Sequence, residues 1–253
     1  MTPPLPAAFL AAPLAHRARH DGTGNCPENS LSAIRAAVRE GYGIEVDLQL
    51  SASGDAIVFH DATLARLAGD PRAVRDVETA ELRGMALLDG SDLIPTLSDC
   101  LAEIAGRVPI LIEIKDQDRR LGPAVGPLEA ATARALEGYE GPAAVMSFNP
   151  HSVAEMARLA PDTPRGLTSG AFSESFWPDV SPTRRAALAE LSDFESAGAR
   201  FISHDWRALS NPAVAALKAQ GVPILCWTVR SAEDERAART VADQITFEGY
   251  TPA

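Results

Sequence analysis

The stretch "IEVDLQL" (Ile44–Leu50) reads as a buried β-strand that carries two negative charges on one side. Successive strand side chains point to opposite faces, so Ile44, Val46, Leu48 and Leu50 share one face while Glu45 and Asp47 stand side by side on the other. Left unpaired in a low-dielectric site, the two carboxylates repel and one tends to take up a proton. A divalent cation offsets both charges and prefers oxygen ligands. Taken alone, the stretch equally suits a pair of solvent-facing acids on an amphipathic strand, and the rest of the chain has to decide.

Around it, short β-like runs alternate with helical patterns nearly throughout. Pro13–Arg17, Gly43–Leu50, Pro109–Lys115, Ala143–Phe148, Arg165–Thr168, Arg200–Asp205, Val222–Val229 and Asp243–Glu248 supply strand candidates. Between them, segments such as Asn29–Gly41 place Leu31, Ile34 and Val38 three and four apart, with Gly41 as the stop. "RRAALAELSDFESAG" (Arg184–Gly198) reads as another helix. The alternation predicts an α/β fold, a (β/α)8 TIM barrel, as a single domain over residues 1–253. Residues 51–93 break the rhythm: "SASGDAIVFHDATLARLAG" looks like a turn, a short strand and a loop. This segment is expected to be a small insertion after the second strand, on the face where barrels carry their chemistry.

Of 253 residues, 46% are hydrophobic and 23% charged, which suits an ordinary globular protein. The net charge of -11, from 23 basic against 34 acidic residues, gives no footprint for nucleic acid or an anionic membrane. Cys26, Cys100 and Cys226 lie far apart, suggesting neither a zinc ribbon nor a disulfide framework. The N-terminal "MTPPLPAAFLAAPLAH" is apolar but lacks a basic leader and is broken by prolines, and no run approaches the roughly 20 apolar residues of a membrane span. A cytoplasmic protein without a stable membrane anchor is expected.

In a parallel barrel the C-terminal strand ends face the active site. His16 and Arg17 end the first strand, Glu45 and Asp47 lie towards the end of the second, and Glu113 and Lys115 end the third. "LIEIK" repeats the two-residue spacing, so Glu45, Asp47 and Glu113 form a plausible oxygen site for Mg²⁺ or Ca²⁺, zinc being less suited. Lys115 either pairs with Glu113 or contacts phosphate. His16 and His60 suit general acid–base transfer in phosphodiester cleavage, where one oxygen loses a proton and another gains one. Arg17 has the fork geometry to hold two phosphoryl oxygens.

The ordered set "HR…PENS…GIEVDLQLSASGDAIVFHD…LIEIK" resembles the glycerophosphodiester phosphodiesterase family, whose motifs run approximately HRG, PENT, E-x-D, DG, HD and E-x-K. The resemblance implies Glu45, Asp47 and Glu113 as ligands of a divalent metal, Mg²⁺ or Ca²⁺. It implies His16 and His60 as the acid–base pair, with His16 as base and His60 as acid, an assignment that sequence leaves open. Arg17 and Lys115 would contact phosphate, Trp227 in "CWTV" would face a small polyol or pack in the core, and Glu28 and Asn29 would support the site. Asn29 also suits the cap of the first helix. His20, His151 and His204 match no catalytic role. Two departures stand out: Ala18 replaces the Gly after His-Arg, followed by a longer "RHDGTGNC" loop expected to shape the entrance, and Thr246-Phe247-Glu248 replaces a Thr-Asp near the last strand.

The activity so implied is metal-dependent hydrolysis of a small-molecule glycerophosphodiester to glycerol 3-phosphate and an alcohol. The alternatives are a related phosphodiester, from a lysophospholipid or a sugar, and a barrel that binds a phosphorylated ligand without turnover.

Overall fold

The computed structural model describes residues 3–253. Each of the eight expected segments forms a strand, and one further strand lies in the insertion: β1 (Leu14–Ala15), β2 (Gly43–Leu50), β3 (Ala56–Val58), β4 (Ile110–Ile114), β5 (Ala143–Ser147), β6 (Arg165–Ser169), β7 (Phe201–Asp205), β8 (Ile224–Val229) and β9 (Gln244–Phe247). All but β3 run parallel in the order β1-β2-β4-β5-β6-β7-β8-β9, and β1 pairs with both β2 and β9, closing a (β/α)8 TIM barrel. β3 pairs antiparallel with the outer part of β2.

The alternation in β2 separates two layers. Ile44, Val46 and Leu48 face outward with Ile110, Ile112 and Ile114 under the surrounding helices. The barrel interior is filled by Leu14, Leu111, Ala144, Met146, Phe201 and Leu225, and Leu5 and Phe9 of the N-terminal segment pack against it. The apolar N-terminal stretch is thus used as a plug for this core. Glu45, Asp47 and Glu113 are buried as well, at 2%, 1% and 6% exposure, which makes their charges the costly feature of the interior.

Helix boundaries follow local chemistry. The helix Leu31–Glu40 is capped by Ser30, whose hydroxyl accepts the Ala33 N–H at 3.2 Å, and ends at Gly41 with φ 78°. The expected cap Asn29 is therefore free for another task. Asn149-Pro150, Ser181-Pro182 and Asn211-Pro212 each start a helix with a side-chain cap followed by proline. The helix expected over Arg184–Gly198 stops earlier, since the regular element is Pro182–Ala189. Leu188, Leu191, Phe194 and Ala197 are buried at a spacing of three, not 3.6. Successive tight turns meet that period, with Leu191 N–H donating to Leu188 and Phe194 N–H to Leu191.

The segment 51–93 has an apolar cluster of its own, Ile57, Phe59, Leu64, Leu67, Val74, Val77, Leu82 and Leu87, joined by Ile94. Its turn-strand-loop start matches the sequence reading, and short helices follow at Ala65–Ala68 and Thr79–Leu82. The "RHDGTGNC" loop, like His16, Arg17 and Asp47, is not among the residues that border the large cavity described below. It packs against the insertion, where a Cβ on Gly90 would meet the Gly24 carbonyl oxygen at 1.9 Å, so the close approach of the two backbones requires glycine.

Candidate active site

Register brings the acids together. Asp47 of β2 pairs across with Glu113 of β4, and Glu45 lies two residues before Asp47 on the same inward face. Ligand oxygens of Glu45, Asp47 and Glu113 lie within 4.8 Å of one another. Lys115 bridges the pair: its Nζ is 2.6 Å from Asp47 Oδ1 and also contacts Glu113 Oε1. Of its two expected roles, the ion pair with Glu113 is therefore present and extends to Asp47.

Asp47 is the hub. Arg17 Nε lies 3.5 Å from Oδ2, and Asn29 Nδ2 donates to the same oxygen at 3.0 Å while the Asp47 N–H donates to Asn29 Oδ1 at 3.4 Å. Asn29 achieves this with a left-handed backbone, φ 55°. Arg17 and Ala18 also sit at positive φ, 53° and 64°, which turns the Arg17 N–H onto Glu45 Oε2 at 3.0 Å. Ala18 stands where the family motif has glycine, and the conformation explains the glycine. An L-residue there costs about 1–2 kcal/mol. Burial of its methyl, at 2% exposure, offsets part of that strain.

The charges answer the question posed by Glu45 and Asp47. Burial works against ionised Asp47, but the Lys115 ammonium and the Arg17 guanidinium act on it, and it is held far below the usual carboxylate range. Glu45 goes the other way: burial, with Asp47 and Glu113 beside it, raises its carboxyl well above 4.5. Two local cations do not satisfy three buried carboxylates. The donor set is all oxygen and preorganised, and Lys115 places its ammonium between two of the acids as a stand-in for a bound cation. The site therefore fits a hard divalent ion.

Each catalytic candidate histidine has a carboxylate on Nδ1. His60 Nδ1 is 2.7 Å from Asp61, whose other oxygen accepts from Arg66 at 2.7 Å. Although burial opposes it, those bonds from His60 and Arg66 hold Asp61 well below its ordinary value. Arg66 also binds Glu28 through both terminal nitrogens, and Glu28 accepts from Arg17 at 2.8 Å. Glu28 thereby connects the two histidine-bearing segments.

His16 Nδ1 is 2.7 Å from Glu248 Oε2, and Arg230 donates to the same oxygen at 2.8 Å. The hydrogen bond with His16 lowers the Glu248 carboxyl to about 2. For His16 itself burial dominates and lowers the ring below 6.5, with the Glu248 bond pulling upward, so the imidazole is neutral at pH 7. Glu248 was not singled out as a site residue from sequence. Strand periodicity carried the signal: Phe247 faces the outer layer with Tyr42, leaving Thr246 and Glu248 on the other face. The acid is offset by one residue from the Thr-Asp pattern. Replacing Glu248 by Ala is expected to lower kcat by about 10- to 100-fold with a smaller change in KM, and Gln to recover part of the loss. Steady-state kinetics checks this, and equal damage from Ala and Gln would contradict an orienting role.

A cavity of about 840 Å³ opens beside the triad, bordered by His60, Glu113 and Lys115. Trp227 does not border it. Its indole N–H donates to the Ser203 carbonyl at 2.9 Å, and its ring meets Phe148, which does line the cavity, edge-on at 5.6 Å. His204 is held by Ser169 at 2.7 Å and the Ala208 carbonyl, a structural role as expected.

Residues 16–246 match a family model described as the glycerophosphoryl diester phosphodiesterase family. A glycerophosphodiester phosphodiesterase of Caldanaerobacter subterraneus is 29% identical over 164 residues, covering 61% of this chain and 65% of that relative, just under two thirds of its length. A Bacillus subtilis protein named as a putative glycerophosphodiester phosphodiesterase is 24% identical over 229 residues, 86% of each chain. Among solved structures, an Oleispira antarctica phosphodiesterase in complex with the product sn-glycerol-3-phosphate has a TM-score of 0.76 at 21% identity, over 95% of this chain and 94% of that one. That likeness concerns the fold.

Proposed function

Because the chain belongs to the glycerophosphoryl diester phosphodiesterase family, we propose that it hydrolyses glycerophosphodiesters to glycerol 3-phosphate and an alcohol. The observation that carries the reading is the convergence on Asp47: two acid partners and two cations meet at one carboxylate beside a large cavity. The sn-glycerol-3-phosphate held by the Oleispira antarctica phosphodiesterase is the product this reaction would release. Glu45, Asp47 and Glu113 would hold the divalent ion, which when bound supplies positive charge to the phosphoryl oxygens. Mg²⁺ and Ca²⁺ both suit the ligand set.

The chain's own groups account for the proton transfers. Glu248 fixes Nδ1 of His16, so Nε2 is the atom available to act as base, and the neutral ring has the form a base needs. His16 takes the proton of the glycerol hydroxyl adjacent to the phosphate as that oxygen attacks phosphorus. The phosphorus–oxygen bond to the alcohol breaks, and His60, oriented by Asp61, gives the departing oxygen a proton. Water then opens the cyclic phosphate: His60 removes its proton and His16 returns one to the glycerol oxygen. Arg17 and Lys115 would hold phosphoryl oxygens, Lys115 giving up its present ion pairs with Asp47 and Glu113.

Release of glycerol 3-phosphate from glycerophosphocholine and glycerophosphoglycerol, and of lysophosphatidate from a lysophospholipid, tests the reading, with the glycerophosphodiesters expected to be turned over and the lysophospholipid poorly. The intramolecular route makes a sharper demand. An analogue lacking the adjacent hydroxyl should bind yet turn over very slowly, because attack from within the bound substrate avoids the entropy of recruiting a second nucleophile. Equal rates for the two compounds would point to direct attack by water.

A further inference from the structure

Away from the triad, the cavity wall gathers arginines as well as acids. Arg75, Arg119 and Arg120 border it together with Phe148, Phe176 and Trp177. Arg75 comes from the insertion and the other two from the loop after β4, so the three arginines border one space from separate segments. Among the described residues, the side chains of Arg75 and Arg120 have no hydrogen-bond or ion-pair partner, whereas most other arginines are paired with acids or carbonyls. Arg119 is held in place: its Nη2 donates to the Phe176 carbonyl at 3.2 Å and its guanidinium lies 5.9 Å from the Trp177 ring centroid. Its backbone is left-handed, φ 60°, a strained conformation that fixes where the side chain leaves the loop.

The acids on the same wall are mostly engaged. Asp61 belongs to His60 and Arg66. Asp116 accepts from the Leu121 N–H and from Asn149, and burial raises its carboxyl. Asp118 accepts the Arg120 N–H at 2.9 Å. The aromatic groups do not form a cage for a quaternary ammonium, because Trp177 is only 7% exposed and Arg119 already occupies a cation position against it.

We propose that this wall is the subsite for the departing alcohol, and that it selects alcohols bearing a negative group, a carboxylate or a phosphate, through Arg75, Arg119 and Arg120. The inference rests on the phosphodiesterase reading, since it assigns the part of the cavity beyond the scissile phosphate. Guanidinium forks match either anion, and the unpaired state of two of them leaves them free for a ligand.

Four glycerophosphodiesters separate the outcomes: those of choline, of glycerol, of glycerate and of ethylene glycol phosphate. Glycerol 3-phosphate release should show kcat/KM at least about tenfold higher for one or both anionic alcohols than for glycerol, and lowest for choline, as expected for one or two charge-assisted hydrogen bonds. The glycerate and ethylene glycol phosphate arms tell which anion the wall takes. In the Arg75→Gln/Arg120→Gln variant, which keeps Arg119, the anionic-to-neutral ratio should fall at least severalfold. Turnover of the neutral and choline substrates without any anionic preference, or a ratio that survives the double substitution, would overturn the subsite while leaving the phosphodiesterase reading in place. No turnover of any of the four would overturn that reading and the subsite with it.

Discussion

Replacing His16 or His60 by alanine is expected to lower kcat by about 10² to 10⁴ in a protein that should still fold and still bind a divalent cation. The size follows from the role: each ring is assigned a proton transfer in the transition state, one to accept and one to donate, and neither ligates through the carboxylate triad. Both rings are held from Nδ1, His16 by Glu248 and His60 by Asp61, each at 2.7 Å, so the truncation removes an oriented group that bulk solvent does not replace. The pH profile supplies a second check on His16. A base must be neutral to act, and burial lowers this ring below 6.5, so kcat/KM should fall only as the pH drops through that lowered value, on the acid side of an ordinary histidine. Near-wild-type turnover in either alanine variant would remove that residue from the mechanism.

Asp47→Asn should be as damaging, for a different reason. The substitution preserves shape but removes the charge on which Lys115, Arg17 and Asn29 converge. A divalent ion would lose a ligand with full negative charge. The several kcal/mol that such an ion contributes to phosphoryl chemistry corresponds to a loss of at least about 10²-fold in kcat/KM. Calorimetric titration with Mg²⁺ or Ca²⁺ should show affinity weakened by at least about tenfold. Thermal unfolding belongs beside it, because Lys115 and Arg17 lose a buried partner and the metal-free protein is expected to be destabilised. An Asp47→Asn protein with unchanged affinity and turnover would show that the triad does not act as a unit.

The barrel was legible because a strand buried on both faces and a helix buried on one leave different periods in sequence. The eight parallel strands appear where "PLAHR", "GIEVDLQL", "PILIEIK" and the others were read. Where the helical reading overran, at residues 190–198, the apolar spacing was three and the backbone answered with turns. The acids Glu45, Asp47 and Glu113 were legible for the same periodic reason, since two-residue spacing in adjacent strands predicts one shared face.

What sequence did not convey were relations across the fold. Asn29 looked like a helix cap, but Ser30 takes that place and Asn29 turns to Asp47 through a left-handed backbone. Glu248 meets His16 across 232 positions of sequence, a contact that requires β9 and β1 to be neighbours in a closed barrel. Arg75 and Arg120 come to one cavity wall because the insertion and the loop after β4 rise from the same end of adjacent strands, and neither segment has a periodicity that would announce it.

The central claim is that three buried carboxylates share a divalent ion needed for hydrolysis of a glycerophosphodiester, and its most direct test is glycerol 3-phosphate release by protein stripped of metal with a chelator. The account predicts no release until Mg²⁺ or Ca²⁺ is added back, and then recovery that saturates with the ion. Full activity in the stripped protein, unaffected by added cation, would contradict it.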